Sequence, residues 1–186
     1  MIKRLYVHQK TLRDELVDVF LDMHEQARLL QRDADTCVFE INTVREGVLD
    51  YKDIHALIKS DFEDDIRLLC ASASAENLVP REFLLKRLAS VAPKHYDFER
   101  FLHRSMLDDP ALRHRLKKRM LELIGQMSVN TLLEIIEADM NVSAASKRAH
   151  IHRNTLHYRL DQIKEKTGID GRTFVGLSVM AVLFFD

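Results

Sequence analysis

Twenty residues, Asn141 to Leu160 (NVSAASKRAHIHRNTLHYRL), constrain this chain more than any other stretch. Asn141 suits an N-cap, because its side chain accepts from the orphan N–H groups of a first helical turn. Val142, Ala145 and Ala149 follow at i, i+3 and i+7, a narrow seam of small apolar residues that lets a second helix approach closely. His150 stands where such turns favour positive φ, a conformation in which histidine is enriched. Ile151 then buries the turn. His152 precedes a second helix whose Leu156, Leu160 and Ile163 recur at i, i+4 and i+7, leaving polar residues on the other faces. A helix-turn-helix of this shape lays its second helix in the DNA major groove, with first-turn residues toward the base edges.

These residues resemble the Fis-like helix-turn-helix, and more closely the C-terminal domain of PucR/CdaR-type bacterial transcriptional regulators. The likeness is carried by Asn141, the Ala144-Ala145 pair, the run Ile151-His152-Arg153-Asn154-Thr155-Leu156, and Tyr158-Arg159-Leu160. The Thr167-Gly168-Ile169-Asp170 turn and a closing apolar helix extend it, so that it covers roughly Val129 to Phe185. Two positions depart from the pattern. A large aliphatic side chain is usual where Ala149 stands, and a glycine usually precedes the asparagine, where this chain has Met140. The resemblance implies double-stranded DNA as partner, and the residues themselves call for no cofactor.

Within a recognition helix spanning 153–166, Arg153 can place a bidentate fork on guanine O6 and N7, or contact a phosphate. Asn154 can read adenine in the same way or help the helix start, and His157 points near the groove. Base contacts are therefore expected from Arg153, Asn154 and His157. The resemblance favours a phosphate for Thr155, whose hydroxyl can otherwise stay within the first turn. Asn141, Ser143, Lys147, Tyr158 and Arg159 complete the expected phosphate contacts, which position a protein without reading sequence.

Charge agrees locally rather than globally. The net charge of the chain is −1, yet between Val142 and Lys166 six basic residues stand against Asp161 and Glu165 alone. One basic segment can concentrate a favourable field on one face of a neutral protein. A second basic run, Arg113 to Arg119, reads as a solvated helix face, a further phosphate surface, or a dock for an acidic segment such as Asp61–Asp65.

The rest of the chain reads as helix. Five glycines, three prolines and no tryptophan in 186 residues argue against a β-rich fold. Leu12, Leu16, Val19, Met23 and Leu30 follow heptad-like spacing and predict a helix from His8 to Arg32, packed in its own subunit or forming a dimer seam. A second helix is expected from Thr36 through Val48, bent at Gly47, and a third from Asp53 through Leu69. Pro80 and Pro110 sit as first-turn prolines, with Asp109 as a cap before the second. The stretch Phe174 to Phe185 is too short to span a bilayer and reads as a helix buried against the motif or a second subunit.

The expected fold is therefore all-α. Residues 1–126 form a helical dimerisation or sensory domain, open to an unidentified small-molecule effector or protein partner. Residues 127–186 form the helix-turn-helix domain. Cys37 and Cys70 read as reduced, buried thiols, and no signal peptide is legible. The histidines lack the spacing of a metal site, and the chain carries no nucleophile elbow or phosphate loop. The chemistry points to a cytoplasmic, homodimeric, sequence-specific DNA-binding regulator and not to an enzyme. The alternative is a helical adaptor that keeps the motif as a scaffold for protein contacts. The basic first turn of the recognition helix weighs against it, since protein-binding surfaces centre on apolar or aromatic anchors.

Overall fold

The computed structural model describes residues 2–24, 26–42, 50–62 and 66–185. In chain order the elements are β1 (Ile2–His8), α1 (Asp14–Asp22), β2 (Arg28–Arg32), β3 (Thr36–Asn42), α2 (Tyr51–Phe62), β4 (Arg67–Ser72) and α3 (Ala75–Leu78). They continue with α4 (Arg81–Ala89), β5 (His95–Asp97), α5 (Phe98–Leu107), α6 (Pro110–Glu137), α7 (Val142–Arg148), α8 (Arg153–Thr167) and α9 (Phe174–Phe184). Contacts divide the chain into two compact units, residues 1–73 with 80–98, and residues 74–79 with 99–186.

The first unit overturns the all-α expectation. It is built on a five-stranded mixed sheet in the order β2-β3-β1-β4-β5. All neighbours pair antiparallel except β4 and β5, which run parallel. Strands β1 to β4 with α1 and α2 make a split β-α-β arrangement of the ferredoxin-like kind. Leu5, Val7, Phe39, Ile41 and Leu68 face a core shared with Leu16, Val17 and Phe20 of α1 and Ile54 and Ile58 of α2. On the opposite face Tyr6, Val38 and Leu69 are also fully buried, and α4 packs across β1 and β4. A strand covered on both faces reads as a continuous apolar run, which periodicity cannot tell from buried helix.

The expected helix over His8–Arg32 is three elements. Only α1 is helical, and its buried face is Leu16, Val17 and Phe20 rather than the expected stripe, since Val19 is only half-buried. Leu12 and Leu16 are spent on this unit's own core, so they form no dimer seam, and Leu30 lies exposed on the edge strand β2. The expected helix from Thr36 is strand β3, whose β-branched and aromatic residues favour a pleated surface. Its continuation through Val44, Gly47 and Val48 lies outside the described residues, as do Glu63, Asp64 and Asp65 of the acidic cluster. The third segment is helical as α2, but Leu69 belongs to β4 and Ile66 lies just ahead of it.

Strand β1 lies between the strands that carry the two cysteines, with Cys37 opposite Val7 and Cys70 opposite Leu5. Two strand spacings, about 9.5 Å, exceed what a disulfide spans. Burial pushes the Cys37 thiol up to about 12 and the Cys70 thiol up to about 11, which makes both poor nucleophiles at neutral pH.

In the second unit α6 packs against α7, α8 and α9. Asp109 caps α6 as its position before Pro110 predicts, its carboxylate accepting from the Leu112 N–H at 2.8 Å. Gly125 interrupts α6 with φ 74° and ψ 161°, a conformation open to glycine and hardly to any other residue. Among the described residues no helix is long and apolar enough to cross a membrane.

Candidate nucleic-acid interface

Helix α7, its turn and α8 are assembled by local hydrogen bonds. The Asn141 side chain accepts from the Ala144 N–H at 3.0 Å and starts α7. Of the seam of small residues, Ala145 is fully buried, and Val142 and Ala149 are half-buried. His150 takes φ 51°, the left-handed conformation its turn position predicts. His152 then caps α8, its Nδ1 accepting from the Asn154 N–H at 3.2 Å. That cap was not legible, because histidine is a rare N-cap. Leu156, Leu160 and Ile163 are fully buried, and α8 ends on Gly168 at φ 76°, whose N–H donates to Lys164.

The outward surface of this assembly is continuous. Asn141, Ser143 and Lys147 are exposed on and before α7, as are His150 and His152 in the turn. Arg153, Asn154, Thr155, His157 and Tyr158 are exposed on the first two turns of α8. The partial positive charge at the start of α8 adds to the field there. Arg159 is placed differently. It is half-buried and donates to the Thr131 hydroxyl of α6 at 2.9 Å.

The basic residues of the segment thus fall into two groups. Arg148 bonds Glu134 at 2.9 Å and also pairs with Glu137, which ties α7 to α6. Lys164 bonds Asp170 at 2.7 Å. Among the described residues Lys147 and Arg153 make no ion pair, so their charge is left for a ligand. In the second basic run, Arg113, His114, Arg115 and Lys118 are exposed, while Arg119 pairs with Glu122 and donates to the Asn77 carbonyl.

Behind α8 lies a set of supports that sequence reasoning missed. Glu99 of α5 accepts from the Asp170 N–H at 2.6 Å. Burial pushes the Glu99 carboxyl up, against the Asp170 N–H and the Thr173 hydroxyl, which favour its charged form. Burial would raise Asp170 too, but hydrogen bonds from Lys164 and the Arg172 N–H, with the charges of both residues, hold it below its ordinary value. Arg172 donates to the His157 carbonyl at 3.4 Å and pairs with Asp161, so the middle of α8 is gripped from behind. Glu99 stands 71 residues before Asp170, a separation that leaves no local pattern to read.

Residues 128–181 match the PucR C-terminal helix-turn-helix domain. The DNA-binding transcriptional activator AdeR of Bacillus subtilis (strain 168) is 55% identical over 42 residues, which is 23% of this chain and 10% of that protein. The protein YxkF of the same organism is 41% identical over 46 residues, 25% of this chain and 16% of YxkF. The chain therefore spans well under two thirds of either relative. A crystal structure of a regulator of polyketide synthase expression from Bifidobacterium adolescentis aligns with 98% of this chain and 78% of its own, at 14% identity and a TM-score of 0.44.

Proposed function

We propose that this chain is a sequence-specific transcriptional regulator, acting in the cytoplasm as a dimer on an inverted repeat. Its PucR-type segment, within residues 127–186, makes the DNA contact. The recognition helix, residues 153–166, enters the major groove with Arg153, Asn154 and His157 toward base edges. Asn141, Ser143, Lys147, Thr155, Tyr158 and Arg159 meet phosphates, Asn141 and Arg159 with the donors that their internal bonds leave over. The observation that carries this reading is the exposed first turn of α8, capped and buttressed yet presenting an arginine without an ion pair among the described residues. One motif offers few contacts, so two half-sites about one DNA turn apart are needed for tight specific binding. The name of AdeR, a transcriptional activator, supports the same class of activity.

The test is selection from random duplex DNA at about 150 mM salt, with Arg153→Ala alongside. An inverted repeat is expected, with preference at one position per half-site relaxed in the variant by about 1–3 kcal/mol. Lys147→Ala should instead weaken every sequence alike. Equal loss on all sequences for Arg153→Ala would make Arg153 a phosphate contact, and no enrichment at any salt would sink the DNA reading.

A further inference from the structure

Helix α9 carries no charged residue, and the DNA contact does not use it. Its inner side is buried: Leu177, Val179, Met180 and Leu183 are all closed from solvent. Its outer side is not. Phe174 is 74% exposed and Phe185, at the C-cap, 44%, with half-exposed Ser178 and Ala181 between them. These four fall at i, i+4, i+7 and i+11, within about 60° of one another at about 100° per residue. Two exposed phenylalanines on one stripe are more than the scattered apolar residues of an ordinary surface.

The stripe has a symmetry that selects its occupant. It reads bulky, small, small, bulky, and both pairs, 174 with 185 and 178 with 181, share one midpoint. An isologous contact between identical chains requires a self-complementary patch, in which i meets j and j meets i. An antiparallel crossing about that midpoint meets the requirement: each Phe174 lies against Phe185 of the other copy, and Ser178 lies against Ala181. The small central pair lets the two helix axes come close. A hollow of about 390 Å³ runs along Phe174, Ser178 and Ala181, walled by Ile136, Met140 and Leu177, and leaves room there for side chains of a second copy.

Charge agrees. Asp139 lines that hollow, along residues 174 to 181, whereas Lys117 stands over the Phe184 ring, 5.6 Å from its centroid, near the C-terminal end of α9. Within one chain the 11 residues of α9, about 16 Å, separate the two ends. The antiparallel crossing brings Asp139 of each copy to Lys117 of the other, twice. We infer that the outer face of α9, with Asp139 and Lys117, is the surface through which two copies of this chain associate. The inference rests on the dimeric reading above and names its interface. Because α6 packs against both α8 and α9, five interaxial steps of about 8–10 Å separate the two recognition helices. Laterally that amounts to roughly 40–50 Å if the steps lie in line, and a bent arrangement comes closer to the roughly 34 Å of one DNA turn.

The experiment is sedimentation velocity of the full chain without DNA, over a micromolar concentration series. The native chain is expected to dimerise, and Phe174→Asp to raise the dissociation constant at least about 30-fold, as for a buried aromatic anchor. Lys117→Asp and Asp139→Lys should each loosen the dimer, and the double variant should restore it, which no pairing within one chain would do. Circular dichroism checks folding, and the charge swap stays readable if Phe174→Asp does not fold. A monomeric native chain, an unchanged Phe174→Asp dimer, or a double variant no tighter than its singles would overturn the proposal. DNA is absent from the cell, so a chain that dimerises through α9 but selects no operator would support this surface while refuting the DNA reading.

Discussion

Strand β1 and helix α8 each bury three large apolar side chains completely, Leu5, Tyr6 and Val7 in one and Leu156, Leu160 and Ile163 in the other. The first three are consecutive and the second three are spaced by a helical turn. Spacing names its own geometry, since only a helix brings i, i+4 and i+7 to one face. A consecutive run names none. The partners of the two elements differ as well. Helix α8 is bounded by groups next to it in sequence, the His152 cap and Gly168. The hydrogen-bond partners of β1 lie far off, with Leu5 opposite Phe39 on one side and Cys70 on the other. Local order is written where it acts. The sheet is held by pairings that only the folded chain assembles.

The largest expected effect tests the sheet side of this contrast. Leu16 sits on the heptad-like stripe that reads as a dimer seam, yet it is fully buried in the core of the first unit. Leu16→Ala should therefore cost about 2–5 kcal/mol in urea unfolding, independent of protein concentration. A folded variant with weakened self-association would instead return Leu16 to an intermolecular seam.

Gly176→Ala should come next, at about 1–3 kcal/mol. A Cβ there would press into the backbone carbonyl of Asp170, which cannot give way as a flexible side chain can. The Thr173 hydroxyl caps α9 through the Gly176 N–H at 2.9 Å, so this close approach is part of how the helix starts. A thermal melt indistinguishable from the native chain would mean that the turn before α9 shifts freely. Asn141→Ala is expected to cost about 1 kcal/mol by removing the cap on α7. Its serine variant should recover most of that loss, which separates capping from phosphate contact, because stability rather than DNA affinity is read.

The same contrast explains what was legible in the sequence. Asn141, His150, Asp109 before Pro110, and the seam of Leu156, Leu160 and Ile163 act within a few residues of themselves, and the structure places each in the role its pattern implies. The sheet was hidden because β1, β3 and β4 are apolar runs or mixed patterns without the Asn-Gly or Asp-Gly turns that announce hairpins. Within the candidate interface, exposure of Arg153 and Lys147 follows from helical spacing. The Arg159 bond to Thr131 spans 28 residues, and Arg148 reaches Glu134 across 14. A sequence shows that such residues are basic, but only packing decides whether that charge is used inside the fold or left for DNA.

The smallest effect sharpens the local side. Asp139 and Met140 are successive non-glycine residues at positive φ, 51° and 64°, between the end of α6 and the Asn141 cap. Aspartate tolerates that region through local hydrogen bonding, whereas an unbranched apolar side chain gains nothing there and costs about 1–2 kcal/mol. This is the position where the resembling domains carry glycine. Met140→Gly relieves the strain but enlarges the conformational freedom of the unfolded chain, which returns about 0.5–1 kcal/mol. Met140 is 38% exposed and lines the hollow beside α9, so its side chain contributes some packing as well. Met140→Ala isolates the backbone effect, because alanine loses the same packing and keeps the strain. The glycine variant should be the more stable of the two by about 0.5–1 kcal/mol in urea unfolding. Equal stabilities would mean that the left-handed turn costs this chain nothing, and that glycine in the resembling domains answers to something other than backbone geometry.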